Sequence, residues 1–376
     1  MISRTVTPRE APQVPFMSTE KIKEHLEFRK KMEELAEEGE YILWRVPEPY
    51  IEFEIIPGSG LKKRIPIDNL YMHKSCWLSA IYTGGVKSIY YTLDKLGIKY
   101  FDDHNQLTCT GWAYHGGAAC PLETSLTVAT RNWHEAWKSK NYLAIHCVTT
   151  HGMYYDEREV LVEDKGIRDK VKENLKKLGR ELVIPEYIVH IHEVIYAMRD
   201  EIARLSPYSY DGCTAVEHNA CHYWKLAPFE VIGGTNPVTL SGLVEALGGE
   251  CKRYTEWFTC CGMGFGHIGW FNVGIGSMSP RKRYLNRACG IPKMCSAYEE
   301  VHPDFIILND PGCGIVFDRS QWYSDVYLGK KTDIPVLWYS QVAALALGAH
   351  PKRDVGLDLH IISHDRLLRK MGIKWE

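Results

Sequence analysis

The sequence predicts an α/β fold built from two tandem, pseudo-symmetric copies of one cysteine-bearing unit. Three observations lead there: a series of motifs that occurs twice in the same order, apolar runs that alternate with helical patterns, and cysteines placed just beyond the predicted strand ends. Alternating strands and helices imply a small, Rossmann-like sheet in each copy. Loops that follow strand ends gather at one edge of such a sheet.

The duplication is carried by spacing. Leu70-Tyr71-Met72-His73-Lys74-Ser75-Cys76 matches Val216-Glu217-His218-Asn219-Ala220-Cys221, each a short run ending in His-x-x-Cys. Each is followed by Gly-Gly (Gly84-Gly85, Gly233-Gly234) and a helical pattern that ends in Leu-Gly, at Gly97 and Gly248. Twelve positions beyond those glycines stand Cys109 and Cys260. Each copy then runs to a strand that leads into a cysteine: Tyr142 to Cys147 in the first, Phe305 to Cys313 in the second. Three loops per copy therefore bring together Cys76, Cys109 and Cys147, and likewise Cys221, Cys260, Cys261 and Cys313.

Taken in order, residues 1–17 are expected to be disordered. Ser18-Thr19-Glu20 opens a charged helix that runs to about Glu38 and stops at Gly39. The strand-like pieces Tyr41–Trp44 and Ile51–Ile56 read as a β-hairpin. Two helical patterns, about 163–178 and 186–205, fill the stretch between the copies. A last strand (334–339) and a helix to Gly348 close the second copy. The divisions are an N-terminal extension (1–67), a first copy (68–152), a helical insert (153–206), a second copy (207–350) and a tail (351–376).

Composition narrows the function. An apolar share of 45% and a charged share of 24% are those of a globular protein, and a net charge of −2 offers nothing to nucleic acid. No apolar run has the length of a membrane span, and the opening lacks secretory-signal features, so a cytoplasmic protein is expected. Twelve cysteines in such a chain argue for metal or redox chemistry over disulfides. The usual fate of a free cysteine, a buried small hydrophobe, is the reading for Cys213, Cys251, Cys289 and Cys295.

The centre of the pattern is Thr259-Cys260-Cys261-Gly262-Met263-Gly264. Adjacent thiolates clasp one multinuclear metal centre, and glycines let the backbone approach it with free N–H groups. Zinc sites rich in thiolate usually show Cys-x-x-Cys knuckles, which this chain lacks, so iron–sulfur binding is favoured. His73 and His218, expected one helical turn before Cys76 and Cys221, either hold their loops by hydrogen bonds or stand near the cluster sulfurs and deliver protons.

On these residues the chain resembles the cysteine-rich CCG domain, and its tandem pair resembles the B-type subunit of heterodisulfide reductase, over roughly residues 68–350. The most specific segments are His218–Tyr223, Leu247-Gly248 through Cys260-Cys261-Gly262, and Pro335 to Gly348. The extension and Cys109-Thr110-Gly111-Trp112 resemble the second B-type subunit of the heterodisulfide-reductase-like complex of sulfur oxidisers. The resemblance implies iron–sulfur clusters, including a noncubane pair of fused cores held by five thiolates, and a disulfide cleaved or formed there. It also implies a small iron–sulfur subunit and a flavin-bearing subunit as partners.

The departures alter what is expected. The family's fifth ligand falls on Thr150 and Val316. Four thiolates, Cys221, Cys260, Cys261 and Cys313, suit a cubane [4Fe–4S] cluster more than the noncubane one. The degenerate first copy has Thr110 in place of a cysteine and keeps Cys76, Cys109 and Cys147, with Cys120 the expected fourth ligand ahead of His115 or His151. That centre is a second [4Fe–4S] cluster or zinc. The longer interval after Cys261 carries Cys289 and Cys295, either of which offers an extra ligand. Two functions remain: a thiol/disulfide oxidoreductase subunit active in a complex, acting on a sulfur substrate, or a pure electron-transfer subunit with no catalytic site of its own; a zinc or iron–sulfur structural module in the first copy is a further alternative. No nucleotide or flavin fingerprint is present, so a flavin belongs to a partner.

Overall fold

The computed structural model describes residues 18–107, 109, 120–263, 280–329 and 331–375. Residues 1–17, the Thr110-Gly111-Trp112 variant, His115, the Gly116–Ala119 loop and the side chain of Cys289 lie outside the described residues.

The first copy is a parallel sheet of β4 (Leu70–His73), β5 (Tyr100–Phe101) and β6 (Tyr142–Ile145), in the order β5-β4-β6. The extension before it supplies β1 (Ile42–Trp44), β2 (Tyr50–Glu54) and β3 (Lys62–Pro66), and the stretch after it supplies β7 (Val183–Pro185). The second copy repeats the sheet with β8 (Thr214–His218), β9 (Glu250–Lys252), β10 (Phe305–Leu308) and β11 (Val336–Trp338), in the order β11-β10-β8-β9, also parallel. Helices cover the sheets, which is why β4, β6, β10 and β11 are buried along their whole length and read as unbroken apolar runs.

The Leu-Gly endings work as helix stops. Gly97 and Gly248 sit at φ +68° and +88°, a left-handed conformation that a side chain disfavours. In each copy the chain then turns directly into the short second strand. The fourth position of the first sheet is filled by a single parallel bridge from Ile145 to His190. The helix that follows, Ile191–Ala197, corresponds to Tyr339–Ala346 after β11. The third residue of each caps its own start: Glu193 accepts from the His190 N–H at 2.9 Å, and Gln341 from the Trp338 N–H at 3.1 Å.

These helices exchange partners between the copies. Tyr339–Ala346 of the second copy packs on Thr83–Leu96 of the first, with Ser340 Oγ donating to the Gly85 carbonyl at 3.0 Å. Reciprocally, Ile191–Ala197 packs on Thr239–Ala246 of the second copy, with His192 Nε2 3.0 Å from Thr239 Oγ1.

Three expectations need correction. The piece 42–44 is not a hairpin strand: β1 pairs in parallel with β7, Ile42 opposite Val183, and the hairpin is β2 with β3. The pattern over 186–205 is two helices, Ile191–Ala197 and Arg199–Leu205, because Met198 ends one and begins the next. His73 and His218 stand at the last positions of β4 and β8. The expected helices at the N-terminus and after 163 are present as Thr19–Glu37 and Lys165–Lys177.

The extension is docked on its own chain. Lys63 of β3 is fully buried, 2.8 Å from Glu193 and 2.8 Å from the Ile188 carbonyl. Arg158 pairs with buried Glu230, which Arg29 of the first helix also reaches at 3.4 Å. No helix among the described residues is long and apolar enough to cross a membrane.

Candidate metal centre

Every cysteine loop opens at the same end of its sheet, and the two ends face each other across one cavity of about 430 Å³. Its lining includes Cys76, Cys109 and Cys147 from the first copy and Cys221, Cys260, Cys261 and Cys313 from the second. Thr150, Asp310, Lys74 and His222 also line it. Cys120, half-buried, is not among the lining residues, nor is buried Cys295; Cys213 and Cys251 are buried as small hydrophobes.

Local structure aims each thiol. Cys76 and Cys221 open short helices just after β4 and β8, and Cys147 is the N-cap residue of Val148–Glu163 after β6. Cys313 sits in the first turn of Pro311–Leu328, where Asp310 Oδ2 accepts its N–H at 2.9 Å as a helix cap does. Cys260 and Cys261 lie in the loop after β9, with the Gly262 N–H 3.3 Å from Cys260 Sγ and the Met263 N–H 3.4 Å from Cys261 Sγ. Backbone donors of this kind favour thiolate over thiol.

The four sulfurs of the second copy form a string, Cys221 to Cys260 to Cys261 to Cys313, joined by sulfur hydrogen bonds. Bonds from Cys221 and Cys261 hold the Cys260 thiol well below its ordinary range, while the bond to Cys260 raises Cys221. Burial pushes Cys313 up to about 12. In the first copy burial, then Asp310, raises Cys147 well above the ordinary thiol range, and Cys109 and Cys76 add to the effect.

His218 is fully buried and neither of its ring nitrogens has a partner among the described residues. One of them lies within 4.8 Å of both Cys261 Sγ and Cys313 Sγ. Four clustered thiols beside a buried, unsatisfied imidazole are a donor set that fits a thiolate-bound iron–sulfur group. His73 is differently employed, its Nε2 3.0 Å from the Tyr154 hydroxyl. His151, considered as a substitute ligand, bonds the Ile188 carbonyl at 3.0 Å.

Two residues went unnoticed in the sequence. Asp310 touches cysteines of both copies, and the helix-cap spacing Asp310-Pro311-Gly312-Cys313 was a signal that could have found it. Lys293, buried behind the cysteine pair, had no such signal.

Comparison with known proteins agrees with this geometry. The cysteine-rich domain family, CCG, matches residues 210–318, the greater part of the second copy. The B-type subunit of the ferredoxin:CoB-CoM heterodisulfide reductase of Methanosarcina acetivorans is 28% identical over 82% of this chain and 98% of its own length. An Archaeoglobus profundus protein described as like the B-type subunit of heterodisulfide reductase is 28% identical over 70% of this chain and 85% of its own. The solved structure of a hypothetical protein from Helicobacter pylori shares the fold, with a TM-score of 0.56 at 17% identity. That match covers 90% of this chain, which spans 57% of the other. By its tandem cysteine motifs and by relatives matched over most of their length, the chain carries a cysteine-rich CCG domain and is similar to the B-type subunits of heterodisulfide reductase.

Proposed function

We propose that this chain is the iron–sulfur subunit of a heterodisulfide-reductase-like complex and handles electrons for thiol/disulfide chemistry. The observation that carries the reading is the shared cavity: cysteines of both copies line one space of about 430 Å³, enough for a sulfur substrate between two centres.

In this reading Cys221, Cys260, Cys261 and Cys313 hold a [4Fe–4S] cluster, and Cys76, Cys109 and Cys147 hold a second centre, iron–sulfur or zinc, with Cys120 completing it. Val316, at the second copy's fifth-ligand position, offers no thiolate, which supports a four-ligand cluster there over the noncubane form. A bound cluster supplies one-electron transfer at the cavity wall. The chain's own residues shape the rest: Asp310 holds Cys313, and the Gly262 and Met263 amides fix the pair. His218 stands ready to donate to a sulfur. The small iron–sulfur subunit and the flavin-bearing subunit are the proposed partners, and the cytoplasm the proposed site.

Electron paramagnetic resonance of the anaerobically purified complex, with iron, zinc and flavin quantified, tests this. Iron near four or eight atoms per chain and co-purifying flavoprotein are expected. A stable, iron-free monomer would refute it.

A further inference from the structure

The helix Pro280–Val301 passes behind the Cys260-Cys261 loop and grips it at three places. At Gly290 the two backbones meet so closely that an added Cβ would stand 3.3 Å from the Cys261 carbonyl and 2.8 Å from Val316. At Glu300 the carboxylate accepts from the Thr255 N–H at 2.8 Å and from its hydroxyl at 3.1 Å. Between them Lys293, fully buried, donates from Nζ to the carbonyls of Glu256, Trp257 (2.7 Å) and Thr259 (3.1 Å). The third of those carbonyls belongs to the residue directly before Cys260.

Three neutral carbonyls use all the hydrogens of the ammonium but leave its charge unmatched, and among the described residues no carboxylate forms an ion pair with it. A buried cation is costly unless negative charge stands nearby. Burial accordingly pulls Lys293 down to about 7, with the negative charge of Cys261, Cys313, Glu256 and Cys260 acting against that loss. Cysteines held as thiolates by a bound cluster would supply the charge that matches the cation. A cluster bearing four thiolates becomes more negative on reduction, so a cation fixed beside it stabilises the reduced form more than the oxidised one.

We propose that Lys293 is the positioning residue of the second centre: its ammonium fixes the loop that presents Cys260 and Cys261, and its charge raises the reduction potential of the group they hold. This rests on the reading of those cysteines as cluster ligands. Two variants separate the roles. Lys293→Gln keeps a hydrogen-bond donor and removes the charge; Lys293→Met removes both.

Redox titration followed by paramagnetic resonance, with iron counted, is made on the anaerobic complex as it purifies. Lys293→Gln is expected to keep its iron while the reduced-to-oxidised ratio at a fixed potential falls about tenfold, a shift of ~59 mV for a one-electron centre. Lys293→Met is expected to show the same shift and to lose iron to a chelator faster. An unchanged midpoint in Lys293→Gln would overturn the electrostatic role, and equal iron retention in Lys293→Met would overturn the positioning role. A wild-type signal that survives Cys260→Ser with Cys261→Ser would strike down the underlying ligand reading instead.

Discussion

Cys147 Sγ of the first copy lies 3.9 Å from Asp310 Oδ1 of the second, so one carboxylate touches the cysteine sets of both halves. Its other oxygen accepts the Cys313 N–H at 2.9 Å. Replacing Asp310 with Ala removes a helix cap and is expected to cost about 1 kcal/mol in urea unfolding. Chelator should also draw iron faster from the complex, since both ligand loops lose a common anchor.

The string of four sulfurs makes the ligand set testable one residue at a time. Cys261→Ser is expected to lose iron and visible absorbance, whereas Cys213→Ser, whose side chain is buried away from the cavity, is expected to keep both. For the first centre, Cys147→Ser should lower the total metal count while leaving the second centre's resonance in place. Cys120→Ser with the same count decides whether Cys120 completes that centre.

Gly152 presses the helix Val148–Glu163 against the Cys221 loop so tightly that a Cβ there would stand 2.4 Å from the His222 carbonyl. Gly152→Ala must push the two copies apart, at a cost of about 1–3 kcal/mol. Calorimetry reads the loss. A variant as stable as wild type would mean that the copies give way freely at this contact.

Glu230 is buried, yet its carboxyl stays ionised. Burial pushes it up, but Arg158, Arg29 and Lys63 more than offset this and hold it at about 2 against an ordinary 4.5. A carboxyl lowered by folding stabilises above its unfolded value and loses that contribution as pH falls through the folded one. Glu230→Gln is expected to cost about 3–5 kcal/mol near neutral pH by stranding Arg158. Urea titrations should show that deficit constant above pH ~5 and narrowing toward pH ~3.

What was legible in the sequence was what is local. The Leu-Gly helix stops, the strand before each cysteine and the tandem order all come from runs of a few residues whose physics is short-range, and they stand where expected. The partner of Ile42–Trp44 was not legible, because a parallel pairing with Val183–Pro185 joins segments far apart and leaves no pattern in either. Lys293 reads like any charged residue of a helix, and only the fold shows that it is buried against three carbonyls. The meeting of both cysteine sets in one cavity depends on how the copies pack, which repeat spacing does not encode.

The exchange of helices has a consequence for how such a chain arises. Thr83–Leu96 meets Tyr339–Ala346 as Thr239–Ala246 meets Ile191–Ala197, so the contact between the halves is self-complementary, as in a two-fold dimer. A free single copy would leave that face bare and would close on a second copy, placing two identical cysteine sets around one axis. Every loss of a ligand in such a dimer strikes both walls together. Fusion into one chain lifts that constraint: Thr110 stands in one half where Cys261 stands in the other, and the cavity gains two unlike walls.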